Sequence, residues 1–355
     1  MLRKSHLWLA LLLCNFAYAQ SAPAIKTAEQ QFKNIQVLQG TPADQVFPAM
    51  QFISASLGVD CTFCHVENKF DADDKPAKKT ARQMITMTLA INKESFNSRK
   101  EVTCHSCHHG DTHPMGIPPV VASDVEPEQA RKEPSSSAAP TADQIIEKYI
   151  AALGGADAIH KITSRVGKGS ISFMGHQSSI ELFTKAPNKR MSITHSSEGE
   201  SITAFDGENG WLGNSGRPAR VMSGQENEAA KLDADFYLAT RLKEIFTEFR
   251  VGSPDKVDGK AVHTLICRRE GRPPVRLYFD QSSGLLVRQI RYTDTPVGRS
   301  PTQIDYADYR ELDGVKVPFR WILSRVSGRF TIQLAEAQQN VPVADEKFVK
   351  PSKQP

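Results

Sequence analysis

The chain lacks an excess of charge of either sign. Its 355 residues carry 44 lysines and arginines against 40 aspartates and glutamates, which gives a formal net charge of +4. If residues 1–19 are removed, Arg3 and Lys4 leave with them and the net charge falls to +2. So small an excess does not predict binding to nucleic acid, which is typical of strongly basic surfaces.

Long hydrophobic runs are also missing. The apolar run at residues 7–13 is too short for a transmembrane helix, which needs about 20 apolar residues. It follows two cations and precedes a small-residue pattern ending at Ala19, the layout of a secretory signal peptide. A lipid anchor at Cys14 is disfavoured because Leu13 is bulky where such sites have a small residue. We predict a periplasmic or otherwise exported protein, soluble or peripheral on the outer side of a membrane, with no transmembrane span.

No catalytic constellation is recognisable in the second half of the chain. No serine lies in a nucleophile motif. The histidines there are dispersed: His160, His176, His195 and His263. Cys267 lies in a strand-like pattern and is predicted to be a buried, unreactive thiol.

Cysteine is sparse, but its spacing is informative. Of six cysteines, Cys14 leaves with the signal peptide and Cys267 stands alone. The other four form two CxxC pairs, each followed directly by histidine: Cys61, Cys64 and His65 in CTFCH, and Cys104, Cys107 and His108 in CHSCH. Exported proteins usually place their cysteines in long-range disulfides, so this arrangement needs another explanation.

The sequence CxxCH is the attachment signature of a c-type haem. Two thiols three positions apart lie on one side of a helical turn and can each bond a vinyl group of the porphyrin, while the histidine reaches the iron. A zinc site would have pairs at a closer separation or paired histidines, and a thioredoxin-like pair would lie in a βαβ setting. We predict two covalently attached c-type haems.

The sixth ligand of each iron separates electron carriers from catalysts. The segment before the first motif follows a helix-start signal at Thr41-Pro42 and has residues at helical spacing: Phe47, Met50, Ile53 and Leu57. The segment before the second motif places four residues on one face, with Met87 nearby: Ala81, Met84, Thr88 and Ile91. Methionines on such stripes are often core residues, so spacing alone leaves core packing and iron ligation both open.

Residues 32–118 resemble the cytochrome c subunit of photosynthetic reaction centres. The similarity lies in FKNIQVLQG, the methionine-bearing segment before CTFCHVENKF, ARQMITMTLAIN and VTCHSCHHG. In that family each haem segment is a helix bearing methionine, a turn and then CxxCH. The resemblance implies that Met50 is the axial ligand of the first haem and that Met84, rather than Met87, is that of the second. His/Met ligation saturates the iron and raises its potential, which suits electron transfer.

The chain departs from that family in three respects. It has two CxxCH motifs where reaction-centre members carry four haems, it lacks a convincing lipobox, and His109-Gly110 follows the second motif where the family tends to have arginine and glycine. The resemblance therefore implies a diheme module of that kind, not service to a photosystem. His105, His109 and His113 stay open between surface residues, extra ligands and a proton site, with the surface as the default.

The composition changes after residue 117. Residues 118–140 are rich in proline, serine, alanine and charge, which predicts a flexible linker between a diheme module at 20–117 and a second domain at 141–350. Thr141 and Gln144 fit a capping box at the start of the next helix, and Gly154-Gly155 is expected to end it.

The second domain carries mostly strand signals. Alternating apolar and polar residues are separated by turn pairs such as Asp206-Gly207, Ser283-Gly284 and Asp313-Gly314. One stretch, at residues 227–249, reads as helical. The prediction is an α+β protein, in which a small helical diheme cytochrome c module precedes a curved antiparallel sheet with helices packed on one side.

Four motifs of this domain give a second resemblance. ALGG, FDGENGW, LYFDQSSGLLVRQIRY and DGVKVPFRW are similar to the lipoprotein-sorting or lipoprotein-carrier half-barrel group. The resemblance implies an apolar concave face, which could bind a lipid, a quinone or a partner peptide.

Three functions compete on these observations. An exported electron carrier would pass electrons to redox partner proteins and use its second domain for docking. A diheme peroxidase-type enzyme would need an iron without a strong sixth ligand, which the two candidate methionines oppose. A lipid or lipoprotein carrier with a regulatory haem module does not account for the clustered haem motifs. We predict the electron carrier, a protein that needs no catalytic acid or base.

Overall fold

A computed structural model describes residues 26–116, 140–222 and 224–351. The first range is helical, and the other two form an antiparallel sheet with helices, so the predicted α+β class is confirmed. The predicted signal peptide and nearly all of the predicted linker lie outside the described residues. None of the described helices combines the length and apolarity that crossing a bilayer requires.

The N-terminal region contains five helices within the described residues. They are α1 (Ala28–Gln31), α2 (Val46–Leu57), α3 (Cys61–Cys64), α4 (Pro76–Ser95) and α5 (Cys104–His108). The predicted helix start at Thr41-Pro42 opens a 3₁₀ turn, Ala43–Gln45, which leads directly into α2. A proline begins α4, where its missing N–H and fixed φ are tolerated.

The core of this region differs from the predicted apolar stripe on α2. Phe47 is 64% exposed. Ile53 of that stripe is buried, and the other buried residues of α2 are Ala49, Phe52 and Ser56. The face that they form packs against α5 and against strands of the sheet, contacts between distant segments that the spacing within one helix could not reveal.

Four helices accompany the sheet in the described residues. They are α6 (Ala142–Leu153), α7 (Ala156–His160), α8 (Gly224–Ala234) and α9 (Leu238–Ile245). The predicted capping box of α6 is confirmed: the Thr141 hydroxyl accepts from the Gln144 N–H at 3.2 Å, and Gln144 Oε1 accepts from the Thr141 N–H at 2.9 Å. Gly154 ends the helix with a φ of +120°.

The single helix predicted at 227–249 is wrong in detail. The chain forms α8, leaves helical geometry at residues 235–237, forms α9 and then enters a strand. The Asp235 carboxylate accepts from the Tyr237 N–H at 3.1 Å and pairs with Arg241 at 2.6 Å. An aspartate that bonds nearby backbone in this way competes with helix continuation.

The described residues form one open sheet of fourteen antiparallel strands. They are β1 (Ser164–Phe173), β2 (His176–Lys185), β3 (Lys189–Ser196), β4 (Gly199–Phe205), β5 (Gly210–Asn214), β6 (Arg217–Val221), β7 (Glu248–Val251), β8 (Asp255–Val257), β9 (Lys260–Arg268), β10 (Val275–Asp280), β11 (Leu286–Thr295), β12 (Gly298–Leu312), β13 (Val315–Arg325) and β14 (Gly328–Gln339). The spatial order is β6-β5-β4-β3-β2-β1-β14-β13-β12-β11-β10-β9-β7, with β8 beside β9. The predicted turn pairs fall between strands β4 and β5, β10 and β11, and β12 and β13.

Buried clusters lie on both faces of the sheet. Leu182 packs in the cluster that includes Leu153 of α6 and Ile159 of α7. Phe183, the next residue of β2, packs in a different cluster with Phe348 of the C-terminal segment. Since successive strand residues point to opposite faces, the helices cover one face and the C-terminal segment covers part of the other.

Candidate haem attachment sites

The first CxxCH motif lies on a short, well-capped helix. The Asp60 carboxylate accepts from the backbone N–H groups of Thr62 and Phe63 at 2.9 and 3.1 Å, which satisfies donors that the first turn of α3 cannot bond internally. Cys61 and Cys64 are three positions apart on this helix and therefore project from the same side. Both thiols are free.

His65 directly follows α3, and one of its ring nitrogens is hydrogen-bonded to the backbone. Its Nδ1 lies 2.9 Å from the Phe70 carbonyl oxygen. Because a carbonyl can only accept, Nδ1 carries a proton, and Nε2 is the ring nitrogen that remains for a metal. Lys78 donates to the same oxygen at 2.9 Å and to the Ala72 oxygen at 2.7 Å, which fixes the loop that holds His65.

The second motif repeats this design on α5. The Ser106 hydroxyl accepts from the Thr103 N–H at 3.1 Å at the start of the helix. Just before it, the buried Asn92 side chain of α4 bonds both backbone groups of Val102, the carbonyl at 2.6 Å and the N–H at 3.0 Å. Asn92 therefore fixes the backbone that leads into Cys104.

The ring of His108 is oriented by a backbone carbonyl, as the ring of His65 is. Its Nδ1 lies 2.9 Å from the Asp111 carbonyl oxygen, so Nδ1 carries a proton here too, and Nε2 is the nitrogen that remains for a metal. A metal-bound histidine usually donates its second ring N–H in this way, which fixes the tautomer and the ring. The two motifs thus share the thiol spacing and the histidine state that a c-type haem requires.

Exposed apolar side chains are concentrated in the helical region that carries these motifs. Within the described residues, eight of the eleven exposed large hydrophobic side chains belong to residues 26–116, which are less than a third of them. The eight are Phe32, Phe47, Phe63, Phe70, Met84, Met87, Leu89 and Met115. Such a concentration offers contact surface to a large apolar group, so these residues fit a porphyrin.

The alternatives for the cysteines fit less well. Burial raises the pKa of the Cys64 thiol and, likewise, the pKa of the Cys104 thiol, whereas a redox-active CxxC pair depends on a lowered thiol pKa. In the described residues both pairs lie on helices that precede the first strand in the chain, so neither pair lies in a βαβ unit. In the part of the chain that the structure describes, no three His, Cys, Asp or Glu side chains group as a metal-ion site would require.

The two candidate axial methionines lie in different surroundings. Met50 on α2 is half-buried and packs against the core of the helical region. Met84 on α4 is 38% exposed, beside the buried residues Ile85 and Thr88, and Met87 is exposed as well. Helix α2 packs against α5, and α4 packs against both α3 and α5, so the Met50 helix contacts the second motif and the Met84 helix contacts both.

The remaining histidines of this region lie at the surface. His105 and His109 are exposed and their rings contact each other, with centroids 5.4 Å apart. His113 is exposed and lies near the Asp111 carboxylate, at 3.7 Å. All three therefore lie at the surface, and their roles stay open between surface residues, extra ligands and a proton site.

Three residues that hold the backbone at the start of the motif helices were not predicted from the sequence. Asp60 and Thr103 each directly precede a CxxCH motif, and aspartate and threonine are preferred at helix N-caps, so their position could have indicated this role. Asn92 gave no comparable signal, because its partner Val102 lies ten positions away in an irregular segment.

Cys267 is buried in β9, as predicted, and burial raises its thiol pKa to about 12.

The number of reactive thiols tests haem attachment. Once residues 1–19 are removed, the chain has five cysteines: Cys267 and the four of the CxxCH motifs. If those four are bonded to haem, we expect no thiol to react with maleimide at pH 8 in the native protein. In denaturant exactly one thiol should react, counted by intact mass. The variant Cys267→Ala should then show none, and a larger count in the parent would mean that CxxCH cysteines are free.

Comparison with known proteins supports the resemblance of the N-terminal part. Residues 13–155 match the family model of the photosynthetic reaction centre cytochrome C subunit. Cytochrome c-554 of Chloroflexus aurantiacus is 35% identical over 82 residues, which are 21% of this chain and 20% of that protein. The photosynthetic reaction center cytochrome c subunit of Roseobacter denitrificans is 29% identical over 172 residues, 42% of this chain and 46% of that protein. The chain thus spans less than half the length of these relatives.

The sheet is similar to solved structures at low sequence identity. A putative outer membrane lipoprotein-sorting protein domain from Vibrio parahaemolyticus is 11% identical, with a TM-score of 0.41, and the match covers 52% of this chain and 89% of that one. A LolA superfamily protein from Nitrosomonas europaea is 14% identical, with a TM-score of 0.40, and covers 60% of this chain and 99% of that one. These neighbours come from the group to which the sequence motifs pointed.

Proposed function

We propose that this chain is an exported c-type cytochrome that transfers electrons through two covalently bound haems with His/Met ligation. The observation that carries the proposal is the repeated site: two capped helices, each with a CxxC pair followed by a histidine whose Nδ1–H is bonded to a backbone carbonyl. The match of residues 13–155 to a cytochrome family supports it.

Different residues at each site would attach the haem and bind its iron. When bound, a c-type haem supplies an iron that takes up and releases one electron. Cys61 and Cys64 would hold one haem, and Cys104 and Cys107 the other. The carbonyls of Phe70 and Asp111 accept from the Nδ1–H groups of His65 and His108, which orients each ring with Nε2 as the nitrogen that would bind the iron. No acid–base step is required of the protein.

The sixth ligands complete the proposal. A thioether from Met50 at one iron and from Met84 at the other would close both coordination spheres, which raises the potential and excludes added ligands. An iron left open would instead favour a diheme peroxidase-type enzyme, so the ligation state decides between an electron carrier and a catalyst.

The proposal extends to location and partners. We propose that residues 1–19 direct export to the periplasm and are removed, that residues 20–117 form the diheme module, and that the domain at 141–350 docks a redox partner protein or holds an apolar ligand. The sheet buries a large apolar surface under its helices, which gives that domain a stable scaffold of its own.

The methionine ligands give a direct test. Met50→Ala and Met84→Ala should each remove the sulfur-to-iron charge-transfer band of one haem and lower its midpoint potential, because potentials span about 0.8 V across axial ligand sets. Each variant should also bind carbon monoxide at one reduced iron, where the parent binds none. Absorption spectra recorded during a redox titration measure all three effects.

Met87→Ala is the matched control, since Met87 lies one turn from Met84 on the same helix and is also exposed. It should leave the band and both potentials unchanged. If carbon monoxide binds the parent protein, one iron is open and the peroxidase-type alternative gains. If neither Met50→Ala nor Met84→Ala alters the spectra, the ligands lie elsewhere, with His109 and His113 the next candidates.

A further inference from the structure

The hairpin between β11 and β12 inserts a residue of the sheet into the core of the helical region. Val297, at the tip, is 2% exposed. It belongs to the same buried cluster as five residues of the N-terminal part: Leu38, Ala49, Phe52, Ile53 and Ile85. The core of the helical region is therefore completed by a side chain more than 180 positions beyond its end.

Gly298 permits this close approach. A Cβ at this position would lie 2.7 Å from Cζ of Phe52 and 3.0 Å from Cε1 of the same ring, closer than carbon atoms can pack. The backbone φ of +154° also disfavours a side chain. The hairpin backbone therefore lies directly against the aromatic ring on the buried face of α2.

Polar contacts fix the shape of the hairpin and tie it to the helical region. The buried Thr295 donates through Oγ1 to the Gly298 carbonyl at 2.7 Å and accepts from the Val297 N–H at 3.3 Å, which closes the turn on itself. The carbonyl of Thr295 accepts a hydrogen bond from Lys100 Nζ. Lys100 lies just before α5, so the hairpin contacts the segment leading to the second CxxCH motif as well as α2.

Gln225 of helix α8 holds the hairpin through two hydrogen bonds to the backbone of Asp294. Nε2 of Gln225 donates to the Asp294 carbonyl at 2.9 Å, and its Oε1 accepts from the Asp294 N–H at 2.7 Å. Arg299 across the hairpin bonds the Asp294 carboxylate at 2.9 Å. These contacts hold the tip of the hairpin in place against α2.

The helix that rests on this hairpin, α2, bears Met50 and packs against α5, the helix of the second CxxCH motif. Met50 of α2 and Cys104 of α5 pack against the cluster that contains Val297. The C-terminal end of α2 is joined to the loop after α5, where the Gly110 N–H donates to the Ser56 carbonyl at 2.9 Å. A shift of α2 would therefore move Met50 relative to His65 and disturb the packing of Cys104.

We infer that the β11–β12 hairpin is a positioning element of the haem module, and that Val297, Gly298 and Gln225 set the placement of α2 and of the Met50 thioether. This inference rests on the proposed function, because it assigns Met50 to an iron. It makes the sheet domain a determinant of the redox properties of the haems in addition to any docking role.

The test uses the full-length, haem-loaded protein. Val297→Ala removes packing against α2. Gln225→Ala removes the two hydrogen bonds to the Asp294 backbone and changes no residue of the helical region. Both variants should keep two covalent haems, lose part of the sulfur-to-iron band and shift one midpoint potential downward, with carbon monoxide binding to a fraction of the reduced protein. Gly298→Ala should do the same more strongly, because its methyl group collides with Phe52.

Met174→Ala is the matched control, an apolar residue at the β1–β2 hairpin tip that is 81% exposed. It should change neither band nor potential. Folded Val297→Ala and Gln225→Ala proteins with the parent's band and potentials would overturn the inference. Failure of the proposed function looks different: the parent itself would then lack covalent haem, or Met50→Ala would leave its spectra unchanged.

Discussion

Replacing Cys104 and Cys107 together with alanine is expected to leave one covalently bound haem on the chain instead of two. Each haem is held by two thioether bonds to its own CxxC pair, and the two pairs lie on separate helices, α3 and α5. The loss should therefore be confined to one site. Pyridine haemochrome absorbance per mole of protein should fall by half, and the intact mass should fall by one haem.

The reciprocal change at Cys61 and Cys64 should have the same effect on the other site, and all four replacements together should give a haem-free chain. Cys267→Ala is the matched control, since this buried thiol lies in the sheet, and the variant should retain two haems. If either paired variant still carried two haems, or if the parent carried none, the assignment of both motifs would be wrong.

The parts of the molecule that follow from short stretches of sequence were predictable. The CxxCH motifs, the capping box of α6 and the turn pairs of the sheet each depend on residues a few positions apart, where local geometry and side-chain chemistry dominate. The α+β class follows from the change of periodicity along the chain, from helical spacing to alternation.

Features that depend on distant contacts were not predictable in the same way. Phe47 fits the helical stripe of α2 but is exposed, because the face that packs on α5 and the sheet is set by tertiary contacts. The break between α8 and α9 depends on which partners Asp235 finds in the fold. Val297 reads as an ordinary turn residue, since nothing near it in sequence indicates that its partners lie in α2 and α4.

Val297 also bears on how independent the two parts of the chain are. The predicted linker places the boundary between a haem module and a sheet domain at 118–140. The sheet domain has its own large buried clusters on β9, β10, β13 and β14. The cluster of the helical region is smaller and includes Val297 from the other side of that boundary. The two parts should therefore differ in what they lose on separation.

Expressed alone, residues 141–355 should fold without haem and give the circular dichroism of an antiparallel sheet with a cooperative thermal transition. Residues 20–120 should still attach two haems, because attachment depends on the CxxCH motifs themselves. They should be less stable than in the full chain, since losing Val297 alone forfeits about 2 kcal/mol of apolar burial and uncovers the ring of Phe52. Denaturant melts followed at the haem absorbance measure this difference.

A full chain cut by a protease site placed within residues 118–139 provides the control for this comparison, because it breaks the connection and keeps the hairpin contact. The two pieces should elute together, and the haem stability of the cut protein should match that of the intact chain, since Val297 and Lys100 still bridge them. Val297→Ala in the cut protein should weaken that association.

Equal stability of residues 20–120 alone and in the full chain would mean that the hairpin contributes nothing to the module. Complete failure of residues 20–120 to take up haem would mean that the sheet belongs to the haem-binding unit itself, and the boundary at 118–140 would have to be abandoned.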